Sequence, residues 1–293
     1  MDTALKVGEK ILHPNMPEWG IGKVMEVASD GKATIFFINA GKKKFDLMHI
    51  SFEFEKVNDQ EAPHPILDNP SFLERSPGKE YTSLPAAKNN FLALFPNGFE
   101  DIAYLKSERD YKLATRKVFL ELLNEQNYRE LLEQDDIAGV ISRVLQVVNK
   151  SNLIFPNEKM ALKDALRQPA NAQFFANRLF GLLYGREEFK GRFEAFAACL
   201  EKIDAAKWTI ATFFPFFAFP DEQMFLKPEV TKHAANFTKA ELNYKPTLNW
   251  LTYSCLLDFA QYLKEQLVGL GLNPRDMIDV QSFLWCITPG KQG

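Results

Sequence analysis

Four polar residues near the C-terminal end stand at spacings that chemistry could use: Arg275, Asp276, Asp279 and Gln281. Carboxylates three residues apart on a helix share one face. Two there could act as acid and base on one substrate, or hold a divalent cation. The same pattern also serves structure: an aspartate at a helix start caps free amides, and a nearby arginine pairs with what is left. The four histidines, His13, His49, His64 and His233, include no pair three or four residues apart, as a helix-borne metal site would need. No G-x-S-x-G elbow, glycine-rich phosphate loop or H-E-x-x-H is present. A nuclease would need a carboxylate followed by a strand with Glu-x-Lys, and the helical half offers no strand to carry it. The expectation is no catalytic residue, no cofactor and no metal. A rival enzyme reading places a pocket between Phe213, Phe216, Lys227, His233, Asp276 and Asp279. Raised carboxylate pKa values in one deep cleft would favour it.

Helices would have to position these groups. From Asn89 onward the apolar residues recur with helical spacing. Glu100 to Asn124 reads as the first long helix. Asp135 or Asp136 can cap the next, whose apolar face runs Ile137, Val140, Ile141, Val144, Leu145, Val148. Asn157 can cap a helix through Leu166, and Pro169 or Ala170 starts another through Tyr184, stopped by Gly185. Glu187 to Ile203 carries Phe189, Phe193, Phe196, Leu200 and Ile203, a seam for close helix packing. Trp208 to Pro220 reads as a buried helix broken at Pro215, or as an aromatic pocket or partner groove. Lys227-Pro228-Glu229 starts a helix to about Ala240, Trp250 to Val268 is amphipathic, and Pro274 to Cys286 closes the fold. The run from Pro274 to Trp285 resembles a motif that closes uncharacterised bacterial proteins, some linked to restriction or defence modules. No activity follows from it.

Composition bounds the classes. Of 293 residues, 46% are hydrophobic and 25% charged, enough for a real core, and 26 are Phe. A net charge of -3 gives no electrostatic reason for nucleic acid or an anionic membrane. Cys199, Cys255 and Cys286 form no C-x-x-C pair and lie in apolar helical contexts, as expected of buried thiols in a reducing, cytoplasmic setting. Residues 1–4 lack a basic segment and an apolar core, so no signal peptide is expected. No apolar run reaches membrane-helix length.

The N-terminal stretch has another grammar. Pro14 and Pro17 mark a loop or strand edge. In Trp19-Gly20-Ile21-Gly22, the glycines permit a positive φ or a close approach beside a large ring. Val7–His13, Lys23–Val27, Ala33–Ile38, Lys44–Met48 and Ile50–Val57 read as five short strands, with a hairpin at Asp30-Gly31 and a turn at Ala40–Lys43. So many strands at such spacing suggest a small, bent antiparallel barrel. Residues 5 to 57, most specifically the H-P-N-x-P-E-W-G-I-G-K-V run from His13, resemble a small bacterial domain of unknown function. That domain is similar to the Tudor-like or KOW-like barrels of UvrD-type helicases and CarD-type transcription factors. The resemblance implies docking to RNA polymerase or another protein through an exposed strand edge or face, and no catalysis.

The expected fold is therefore α+β: a small N-terminal antiparallel β-barrel (1–57), a Pro-rich linker (58–88), a larger all-α domain (89–288) and a tail (289–293). Ile66, Leu67, Phe72 and Leu73 could anchor the linker. Trp19, Lys42, Lys43 and Lys44 are the candidate partner-binding residues, although Trp19 could equally plug the barrel and the lysines could be a solvated hairpin tip or edge protection. With eight lysines against eight Asp and Glu in residues 1–57, the module is not basic, so a protein partner is favoured over nucleic acid. The leading expectation is a non-enzymatic adaptor. Its barrel would dock RNA polymerase or a DNA-processing complex, with a second recognition surface around residues 208 to 232. The alternative is an enzyme or nucleic-acid-binding component of a DNA-transaction or defence system.

Overall fold

Strands end and helices take over where the sequence period changes from two to 3.6. The computed structural model describes residues 5–57, 64, 66–68 and 82–288. The chain divides into two compact units, Met1–Ala93 with His233–Glu241, and Leu94–Lys232 with Leu242–Gly293. The class is α+β, an antiparallel sheet followed by a mostly helical region.

The first unit holds β1 (Lys10–Leu12), β2 (Gly22–Val27), β3 (Lys32–Phe37), β4 (Gly41–Asp46) and β5 (Glu55–Lys56), in the order β4-β3-β2-β1-β5. Alternation sorts the side chains. Ile11, Val24, Ala33, Ile35 and Phe37 form an enclosed cluster. Lys10, Lys23, Phe36 and Lys42 stand opposite one another in a row on the other face. Gly20 has a φ of +68, and a Cβ there would come within 2.7 Å of Ile38. A Cβ on Gly22 would lie 2.7 Å from the Phe37 ring. The close approach beside a ring is therefore real, but the ring is Phe37 and not Trp19.

Two expectations are corrected. The sheet is not a closed barrel: β4 and β5 are its two ends and no ladder joins them. The run Ile50–Val57 supplies only the two-residue β5, which pairs with β1 alone and has too few amides for a second ladder. Aromatic rings lie across the gap instead, with Phe45 of β4 5.1 Å from Phe54 and Phe54 5.2 Å from Phe52. The turn is also displaced. It covers residues 38–40, closed by the Ala40 amide on the Phe37 carbonyl, so Lys42, Lys43 and Lys44 lie within edge strand β4 and not at a hairpin tip.

Residues 64 and 66–68 are tied to the sheet. Lys10 and Lys23 are direct cross-strand neighbours, an unfavourable like-charge pair. The Asp68 carboxylate offsets it, accepting from Lys10 Nζ at 2.7 Å and standing 3.9 Å from Lys23 Nζ. Lys23 also donates to the Leu67 carbonyl, and Ile66 and Leu67 are buried. His64 Nδ1 accepts the Ile66 and Leu67 amides at 3.2 and 3.1 Å, which requires that nitrogen unprotonated. Residues 69–81, with Phe72 and Leu73, lie outside the described residues, and the last part of the expected linker, from Leu84, is helical.

Helices follow: α1 (Leu84–Leu94), α2 (Ile102–Tyr104), α3 (Asp110–Leu122), α4 (Glu125–Glu133), α5 (Ile137–Lys150), α6 (Pro156–Ala165), α7 (Pro169–Tyr184), α8 (Phe189–Lys202), α9 (Trp208–Ala218), α10 (Pro228–Thr238), α11 (Trp250–Gly269) and α12 (Met277–Ile287). Asp136 caps α5 through the Gly139 amide at 2.8 Å. Asn124 caps α4 through Asn127 at 2.9 Å. In place of one uniform helix after Glu100, a π-helical turn at Leu105–Arg109 separates α2 from α3. Helix α9 runs through Pro215, with every residue from Trp208 to Phe217 buried. The Phe193 ring stacks on Tyr253 at 4.6 Å, joining α8 to α11. Cys199 and Cys286 are buried, and Cys255 is partly exposed. Among the described residues no helix is long and apolar enough to cross a membrane.

Two outcomes follow from the first unit. Gly22→Ala should destabilise it by about 1–3 kcal/mol through overpacking on Phe37, read by denaturant unfolding; an unchanged midpoint would show that the ring moves freely. Burial also holds the His64 imidazole down to about 4, against an ordinary 6.5. Asp68 acts in the opposite direction, and Lys10 and Lys23 reinforce the lowering. The stability that neutral His64 contributes should be complete above pH 6.5 and be lost as pH falls towards 4. In His64→Asn that part of the pH dependence should vanish.

Candidate functional site

The aspartates singled out by spacing sit in the second unit, in a buried ionic cluster. Asp276 is the N-cap of α12, accepting the Ile278 and Asp279 amides at 3.0 and 3.2 Å. Arg109, delivered by the π-helical turn, donates to both oxygens of Asp276 at 2.8 and 2.7 Å and to Asp279 Oδ1 at 2.8 Å. The Tyr104 hydroxyl donates to the same Asp279 oxygen at 2.5 Å. Arg275 brings its amide and Nε to Asp279 Oδ2 at 2.9 and 2.8 Å, and its Nη2 to the Phe99 carbonyl at 2.7 Å. Burial pushes the Asp276 carboxyl upward, but the Arg109 hydrogen bonds and charge outweigh it, and the group lies below the ordinary carboxylate range. Tyr104 is raised by burial and by the Asp279 charge.

Beside this cluster, Lys112 is almost fully buried and donates to Ser282 Oγ at 2.7 Å and to Glu108 at 3.4 Å. Burial pushes its ammonium down to about 8, against the pull of Glu108. The Cys286 thiol is pushed up to about 12 by burial. A lysine on a serine hydroxyl is one arrangement used to activate a nucleophile. Here Ser282 is fully buried and its own hydroxyl donates to the Ile278 carbonyl at 2.8 Å, so no substrate reaches it. Among the described residues no group of His, Cys, Asp and Glu side chains is set to hold a metal ion.

Phe213 and Phe216 are fully enclosed in α9. Lys227 stands between two rings, 4.8 Å from Phe155 and 4.7 Å from Trp285. His233 is exposed on α10 and is counted with the first unit. Since residues 208 to 217 are all buried, they form core and not a recognition groove.

In the first unit, His13 sits inside a ring of aromatics. Its centroid is 4.4 Å from Phe52, 5.0 Å from Trp19, 5.6 Å from Phe54 and 5.8 Å from Phe45. Its Nδ1 accepts the Asn15 amide at 3.2 Å. His13 is buried, while Trp19, Phe45, Phe52 and Phe54 stay partly exposed. Lys43 Nζ stands over the Trp19 ring at 5.1 Å. The lysine run does not form one patch: Lys43 projects with Ile35 and Phe45 on this aromatic face, and Lys42 and Lys44 project from the opposite one. Sequence reasoning missed His13, Phe45, Phe52 and Phe54, although the alternation of Phe52 and Phe54 marks one face. It also missed Arg109, whose partners are 167 and 170 residues away.

Residues 5–54 match a family described as a protein of unknown function (DUF3553). That span takes in β1 to β4 and the aromatic ring up to Phe54. A comparison with curated proteins gave no match, and a comparison with solved structures gave none.

Removing Arg109 tests the ionic cluster. Arg109→Ala leaves two buried carboxylates facing each other and should cost about 3–5 kcal/mol of stability. Arg109→Lys should recover only part of that, because one ammonium cannot replace the planar fork. Denaturant unfolding of both variants measures this, and equal recovery by lysine would mean that charge alone matters.

Proposed function

We propose that the sheet of the first unit is a docking module for a protein partner, and that the chain acts as a cytoplasmic adaptor. The observation that carries this reading is the partly exposed aromatic face. Trp19, Phe45, Phe52 and Phe54 surround His13, with the Lys43 ammonium over the indole and the edge strand β4 beside it. Aromatic side chains with an adjacent cation are the residue types that dominate protein interfaces. Small soluble units seldom leave several such rings together at the surface without a use. The rolled sheet, with β1 pairing both β2 and β5, is compatible with a Tudor-like or KOW-like module. The resemblance to helicase and transcription-factor barrels points to RNA polymerase or a DNA-processing complex as the partner class.

An affinity capture from native extract, at low and high salt, tests the proposal. The comparison is wild type against Lys43→Glu, and against Trp19→Ala after a check of folding. A protein partner retained by wild type at both salts, and lost from folded Lys43→Glu, is the expected result. Retention of nucleic acid at low salt only would replace the protein partner by phosphate-backbone binding. Equal capture by all variants would remove the aromatic face from the docking site.

A further inference from the structure

The hairpin of α7 and α8, in the second unit, carries a cleft that neither the ionic cluster nor the sheet explains. It has a volume of about 350 Å³ and is lined by Asn177, Arg178, Gly181, Glu187, Gly191 and Arg192. Gly181 and Gly191 lie inside helices, where each glycine costs about 1 kcal/mol relative to alanine. Neither has a positive φ. A Cβ built on either one meets no atom within 4 Å. Backbone geometry and packing therefore do not require glycine at either position, and what the missing side chains achieve is an open cleft.

The arginines supply the chemistry. Arg192 is held rigidly: Nε donates to the Glu187 carbonyl at 2.8 Å, Nη1 donates to the Leu182 carbonyl at 2.7 Å, and the guanidinium stands 5.1 Å from the Phe189 ring. These bonds use two of the five N–H groups of a guanidinium, and both acceptors are uncharged. Arg178 lines the same cleft, 5.4 Å from the Phe174 ring. Among the described residues neither arginine is in an ion pair, as is also true of Arg116, Arg143 and Arg186, while Arg109, Arg129, Arg167 and Arg275 are paired. Two guanidinium groups, one of them fixed in place, line a cleft with glycine on both walls, and guanidinium is the donor that suits planar or tetrahedral oxyanions.

We propose that the α7–α8 cleft binds the oxyanion end of a small molecule, a phosphate or carboxylate group, between Arg178 and Arg192. Glu187 is the one acidic residue of the lining, and it opposes the anion. The site does not rest on docking by the sheet.

Isothermal titration of the full chain tests it, with inorganic phosphate, pyrophosphate and citrate as probes and sodium chloride of matched ionic strength as the control. Saturable binding of at least one probe is expected. Arg178→Gln should weaken it about tenfold or more, the loss of one charge-assisted contact. Gly191→Leu should abolish it by filling the cleft, while the unfolding temperature stays equal or rises. Glu187→Gln should tighten it. Saturation by the phosphates alone, or by citrate alone, assigns the group. No saturable heat with any probe, or equal affinity in Arg178→Gln and Gly191→Leu, would overturn the proposal.

Discussion

The second unit depends on Arg109. Its fork holds Asp276, which caps α12, and reaches Asp279 one turn further on. Arg275 and Tyr104 close the remaining positions on Asp279. Two aspartates and two arginines balance in charge. Burying any one of the four alone would be strongly unfavourable; together, with nearly every lone pair used, they are tolerable. The π-helical turn belongs to the same constraint. Its wider ring precedes α3 and leads directly into the position from which Arg109 reaches α12. A cation or substrate would have to displace an arginine to use these carboxylates, so the geometry favours holding α12 over chemistry.

The first unit meets a different constraint, scarcity of backbone partners. With β5 only two residues long, hydrogen bonds cannot join the two ends of the sheet. Rings cover what ladders leave open, and His13 is the piece they surround. An imidazole whose Nδ1 is engaged by the Asn15 amide can sit among rings with only one polar edge left to accommodate. This packing leaves Trp19, Phe45, Phe52 and Phe54 partly exposed, so the surface proposed for a partner is a by-product of how a very small sheet completes its core.

Legibility in the sequence followed distance along the chain. Local signals transferred well: the Asp30-Gly31 hairpin, the Asp136 cap, and α7 beginning at Pro169 and ending before Gly185. The run Lys42, Lys43 and Lys44 did not reveal that strand alternation sends Lys43 to one face and its neighbours to the other. Barrel closure was not legible either, because alternation in Ile50–Val57 says which faces residues take and not which of them find a ladder partner. The role of Asp276 and Asp279 hinged on Arg109, and no local pattern marks a partner 167 residues away. Lys112 was hidden for a related reason. A lysine in a helix reads as solvated surface until a distant Ser282 and its own Glu108 bury it.

A contrast between satisfied and unsatisfied groups then separates structure from function. The ionic cluster is rich in reactive side chains, yet it is saturated internally. The α7–α8 hairpin is the reverse. It has few reactive groups, but two helix-interior glycines lower its stability with no packing in return, and two arginines there have no carboxylate partner among the described residues. The aromatic face shares part of this character, with partly exposed rings beside an ammonium. Local rules that are broken without compensation inside the fold mark places whose partner lies outside it. By that criterion the reactive-looking aspartates belong to the architecture. The places proposed for a second molecule are the plain ones, a glycine-walled cleft and a partly covered ring of aromatics.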